Sequence, residues 1–265
     1  MTVEELQRQD DEALADYMWR RLRLEPPVDP PLADRHGAEP PEQFPIDAAR
    51  NVPAFHGRLV LAVRDNLRRL AELQAVNGTL WADAVANQQV ASLAYLASRL
   101  PAPELIEPLY TLACAWFLDL SDLPDDLDDG RFQVLRTLAL LQRDATLAPF
   151  WETLWARGPR SVRGLTIVGW ARADRDRALQ HLGELIGTEG VDLPATLWAL
   201  VAPSGPGVPA IAEAVKRLSV ALQKKVTYAL RRAGADADTL RAFRVTAEDA
   251  HALYARHASR APRRG

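Results

Sequence analysis

Apolar residues along this chain recur at spacings of three and four, in blocks separated by proline, glycine and short polar turns. The clearest block runs from Thr146 to Gly158. Leu147, Phe150, Trp151, Leu154 and Trp155 fall at i, i+3, i+4, i+7 and i+8, which places all five on one face of a helix. Thr146 is positioned to cap the free amides, Pro149 suits the first turn, and Gly158-Pro159 end the pattern. A helix this short is stable only when neighbours bury its stripe.

The rest of the chain reads in the same way. Thr2 and Glu5 form a capping box for a first helix with Leu14, Tyr17, Met18 and Leu22 on its stripe. Residues 26–45 then carry Pro26, Pro27, Pro30, Pro31, Pro40, Pro41 and Pro45. Paired prolines exclude helix and favour extended backbone, with a reach of roughly 60 Å at about 3.1 Å per residue. The expectation is a strap across the domain surface, the alternative a tether that lets the first helix dock elsewhere. Further helices are predicted from Pro53, with Leu59, Val63, Leu67, Leu70 and Leu73 facing one way, from Thr79 to Pro101, from Pro103, and from Phe132 to Arg143. Others follow from Val162 to Trp170, interrupted lightly at Gly164 and Gly169, from Asp174 to Gly187, and from Asp192-Pro194. One long helix is predicted over Ala210–Arg232, with short ones opened by Asp236 and Thr246. No strand pattern occurs. The fold class is therefore all-α, with short loops implying antiparallel pairs. The predicted organisation is an amphipathic helix over 1–24, a Pro-rich segment over 25–52 and an all-helical domain over 53–265.

The segments Ala91–Leu96, Arg136–Leu141 and Arg163–Val168 occupy similar places in successive helix pairs. Over residues 80–201 the pattern resembles HEAT or armadillo-type helical repeats. That resemblance implies an irregular solenoid in which each pair buries its face on the next; a single helical bundle is the alternative.

Composition narrows the function classes. The 265 residues are 48% hydrophobic, enough for a full core, and the net charge of −3 gives no global case for nucleic acid or an anionic membrane. Lysine occurs only at Lys216, Lys224 and Lys225 among 32 basic residues, a bias expected of a GC-rich, bacterial coding sequence. The lone Cys114 excludes a disulfide framework and reads as a buried structural thiol. An N-terminus without a basic-then-apolar leader and the lack of a long apolar run make the cytoplasm the expected location, with no membrane span.

Asp125-Asp126-Leu127-Asp128-Asp129 matches the DDxxD pattern and in that respect resembles isoprenyl diphosphate synthases and terpene cyclases. That resemblance implies Mg²⁺ held against a diphosphate by Asp125 and Asp126. Pro124 and Gly130 instead set the motif in a loop, no second motif exists, and the expected role of Asp128 or Asp129 is to cap the helix at Phe132. Glu248-x-x-His251 is half of a di-iron ligand set without its second copy, and His181-x-x-Glu184 reverses the order; both read as surface polar residues. No catalytic set, metal site or cofactor is expected.

The long C-terminal helix is more informative. On its wheel Lys216, Arg217, Lys224, Lys225, Arg231 and Arg232 occupy one half and Leu218, Leu222, Val226 and Ala229 the other, with no acidic residue from Lys216 to Arg232. Tyr228 is the one aromatic nearby. Six phosphate contacts would give a salt slope of about −5. Trp151, Trp155, Trp170 and Trp198, with Trp116, read as core; Trp19 and Trp81, near helix ends, read as contact surface. The expected function is a non-enzymatic scaffold or adaptor for a protein partner, using the basic residues, the acidic Asp125 and Asp126 and the two exposed tryptophans. Nucleic-acid binding through residues 216–232 and a Mg²⁺-dependent isoprenoid enzyme are the alternatives, and the separated charges also permit self-association.

Overall fold

The structure is a computed structural model that describes residues 5, 7–24, 53–77, 84–117, 129–142, 145–202 and 205–243. Every regular element among these is helical, as the apolar spacing requires. Trp81, Asp125, Asp126, His251 and the helix expected from Thr246 lie outside the described residues. The chain divides into two compact units, Met1–Gln142 and Arg143–Gly265, so a boundary falls inside the stretch expected to be a single domain.

The first unit holds α1 (Asp11–Leu24), α2 (Pro53–Asn77), α3 (Ala84–Arg99), α4 (Ile106–Phe117) and α5 (Asp129–Leu141). Alanine and serine on α3 let it lie close along α5. Ala91, Ala94, Ala97 and Ser92 of α3 are buried, as are Val134, Leu135, Leu138 and Ala139 of α5, and the Thr137 hydroxyl donates to the Ala94 carbonyl at 2.9 Å. α5 begins at Asp129, three residues before the expected start. The amide of Gly130 in its first turn donates to Asn87 Oδ1 of α3 at 2.9 Å, a cap supplied from another helix. α1 packs on α2 and α3, with Leu14 and Met18 fully buried.

The second unit holds α6 (Ala148–Arg157), α7 (Arg163–Ala173), α8 (Arg175–Gln180), α9 (Leu182–Gly187), α10 (Leu193–Val201), α11 (Val208–Lys216), α12 (Val220–Arg232) and α13 (Ala237–Ala242). All five apolar residues of the Thr146–Gly158 stripe are buried, and Gly158 ends the helix. A 3₁₀ turn over Ala145–Leu147 precedes it, and Leu147, not Thr146, is its N-cap. α7 is the centre of this unit, and it runs unbroken through Gly164 and Gly169. Those glycines are notches. A Cβ on Gly164 would lie 2.4 Å from Thr196 Oγ1 of α10, and one on Gly169 2.4 Å from the Trp151 ring of α6.

Two predicted long helices are split. The one from Asp174 to Gly187 is divided at His181, whose backbone turns at φ −90°, ψ 0° while its ring stacks on Trp170 at 5.1 Å. The one over Ala210–Arg232 is divided at Arg217–Ser219. Ser219 Oγ accepts from the Leu222 amide at 3.4 Å, and Gln223 Nε2 donates to the Lys216 and Leu218 carbonyls at 3.3 and 2.9 Å. The groups freed by the break are therefore taken up by side chains of the next helix.

Candidate binding face

The basic residues expected on one helix are distributed by this break. Lys216 and Arg217 lie at the end of α11, where Glu213 approaches them at 3.8 and 3.7 Å. Lys225 donates its ammonium to the carbonyl of Ile186 near the end of α9, where the helix dipole favours a cation. Lys224, Arg231 and Arg232 are exposed, and no described residue forms an ion pair with them.

α12 is fixed from its other side. Gln223, Val226, Ala229 and Leu230 are buried, and the Thr227 hydroxyl donates to the Phe243 carbonyl at 3.0 Å. That orientation turns Tyr228 outward, where it is 62% exposed. Lys224 lies four residues before it, Lys225 three before, Arg231 three after and Arg232 four after. Each is thus one helical turn from the phenol ring, on the order of 5–6 Å between Cβ atoms. No acidic side chain occurs between Ala214 and Ala235. The face offers exposed cations around a flat apolar ring with a hydroxyl, a set that takes carboxylates or phosphates beside an apolar group.

Trp198, expected in the core, is 48% exposed on α10. At 100° per residue it lies about 60° beyond the stripe made by Leu193, Leu197, Leu200 and Val201, which explains the exposure. Trp19, expected at the surface, is 7% exposed, with the Arg69 guanidinium 4.1 Å above its ring. It is core for as long as α1 stays docked.

Among the described residues, the remaining candidates for chemistry, His181 and Cys114, make structural contacts. His181 is packed between Trp170 and Trp155, and its Nδ1 lies 3.6 Å from Glu184. Glu184 also binds Arg163 at 2.8 Å, and Arg163 lies 5.0 Å over the Trp155 ring. His181 is thus an aromatic-packing residue rather than a plain surface one. Cys114 is half-buried, not buried. Tyr110, one turn earlier, donates its hydroxyl to the Cys114 sulfur, and that bond, with burial and the repulsion of a thiolate, pushes the phenol up to about 12. Among the described residues no group of three or more His, Cys, Asp or Glu side chains is placed to hold a metal ion. None of their helices is long and apolar enough to cross a membrane. Comparisons with protein-family models, with curated proteins and with solved structures return no match, so the assignment of function rests on the geometry of α12.

Proposed function

We propose that this chain is a non-enzymatic binding module that takes an acidic protein segment on the exposed face of α12. The observation that supports it is Tyr228, outward and ringed by Lys224, Lys225, Arg231 and Arg232 with no acidic neighbour on the helix. Aromatic and arginine side chains together are the usual anchors of a protein interface. Stacking of the helix pairs in the manner of HEAT repeats belongs to the same proposal, because such stacking presents extended surfaces to partners.

The partner chemistry this face fits is a Glu- or Asp-rich segment carrying an apolar side chain for the Tyr228 ring. A fluorescent peptide of that composition, titrated into the full chain at about 50 mM salt, should bind saturably and weaken as salt rises. Exposed ion pairs contribute about 0.2–1 kcal/mol each, so Lys224→Glu with Arg231→Glu should cost roughly tenfold or more in affinity. Tyr228→Ala should weaken binding without changing its salt dependence. Equal affinity of wild type and variants would refute the reading. Duplex DNA is the control arm. With three unpaired cations its salt slope would be about −3, not the −5 of six contacts, and a DNA affinity exceeding that for the peptide would reassign the face to phosphates.

A further inference from the structure

We propose that α1 is a transferable helix, and that the groove on α2 and α3 which holds it also binds the α1 of a second copy of this chain. The inference rests on how α1 is held. Leu14 and Met18 are buried beneath it. Asn66 of α2 and Gln89 of α3, each 2% exposed, donate their side-chain amides to main-chain carbonyls of α1, at 3.0 Å to Ala15 and 3.2 Å to Trp19. Those carbonyls are four residues apart, one helical turn, so the groove reads a helix backbone at two successive turns. A groove without a helix would strand both donors.

The ends of the seat are charged in a complementary way. Arg58 binds Asp11 Oδ1 at 2.7 Å and the carbonyls of Gln7 and Gln9 just before the helix. Arg69 lies over Trp19 and 3.6 Å from Asp16. Every one of these contacts is made by α1 and its lead-in with α2 or α3. None requires that α1 and the groove belong to one molecule. Residues 25–52 separate them in sequence, and a chain of that length can span at most roughly 90–100 Å. That is enough to seat α1 on a neighbour. A connection long enough for α1 to leave its own seat permits exchange between copies, giving a symmetric pair. At protein concentrations near the effective concentration of the tether, on the order of millimolar, the two arrangements compete.

The test uses full-length chains with reversed charges. One variant carries Asp11→Arg and Asp16→Arg, and a second carries Arg58→Asp and Arg69→Asp. Each alone sets like charges against each other at the seat, whereas the mixture restores opposite charges only between molecules. Sedimentation of the equimolar mixture should show a hetero-pair at least about tenfold tighter than either variant's self-association, and a chain carrying all four substitutions should return to the wild-type melting curve. A mixture that sediments as the sum of its parts would overturn the proposal. Should a variant fail to fold, two differently tagged wild-type chains co-refolded at about millimolar concentration decide the matter. Retention of one tag through the other, released by excess peptide 5–24, supports exchange, and no retention overturns it.

Discussion

Gly169→Ala is the sharpest test of how the second unit is packed. Alanine is ordinarily the better helix residue by about 0.5–1 kcal/mol, so sequence propensity alone favours the change. The structure says the opposite. A methyl at this position would lie 2.4 Å from Cε2 and Cζ2 of Trp151, closer than carbon atoms approach in folded proteins. Trp151 has nowhere to retreat, since it is fully buried and Phe150 meets it edge-on at 4.9 Å. Overpacking a filled core costs typically 1–3 kcal/mol, and a rigid indole at this distance puts the cost at the upper end. Net of the propensity gain, the variant should lose about 2 kcal/mol. Urea unfolding followed by tryptophan fluorescence, to which Trp151, Trp155 and Trp170 contribute, should show a midpoint lower by roughly 1 M. A midpoint equal to or above that of the wild type would refute the close approach of α6 and α7.

Gly57→Ala in α2 is the mirror case. Nothing lies within 4 Å of the added methyl, so the variant should gain about 0.5–1 kcal/mol, read as slower amide exchange along α2. Asn87→Ala removes the cap on Gly130 and should cost roughly 0.5–2 kcal/mol, read as faster amide exchange in the first turn of α5. Tyr110 should ionise near pH 12 in a spectrophotometric titration, and Cys114→Ala should bring that step back toward 10. The folded state holds this proton more tightly than the unfolded chain does. Its contribution to stability is therefore complete below pH 10 and lost as pH rises toward 12. Asp236 moves the other way. Its carboxylate accepts from the Thr239 amide at 2.7 Å, which holds it below the usual 3.8, so the cap on α13 weakens as acid protonates it.

What could be read from the sequence was what is local. The stripe from Leu147 to Trp155 and the caps at Asp174, Asp192 and Asp236 are signals within a few residues, and each stands where the pattern put it. The break at Ser219 was hidden because apolar spacing continues across it, and what stabilises it is a side chain five to seven residues on, Gln223 reaching back to Leu218 and Lys216. That one break removes Lys216 and Arg217 from the basic face and leaves Tyr228 at its centre. The light interruption that Gly164 and Gly169 suggest in sequence is absent from α7, because their use as notches depends on Trp151 and Thr196, which approach only in the folded unit. Trp19 was misplaced for a similar reason: its burial depends on α2 and α3, which follow a long proline-rich stretch.

On the function proposed above, the outward face of α12 grips an acidic partner. A titration of the ¹⁵N-labelled full chain with a Glu-rich peptide, followed by amide and side-chain shifts, tests it most directly. Shifts should concentrate at Lys224, Tyr228, Arg231 and Arg232, with Gln223, Val226 and Leu230 on the buried side nearly still. Shifts spread evenly over the basic residues of both units, or absent from α12, would contradict it.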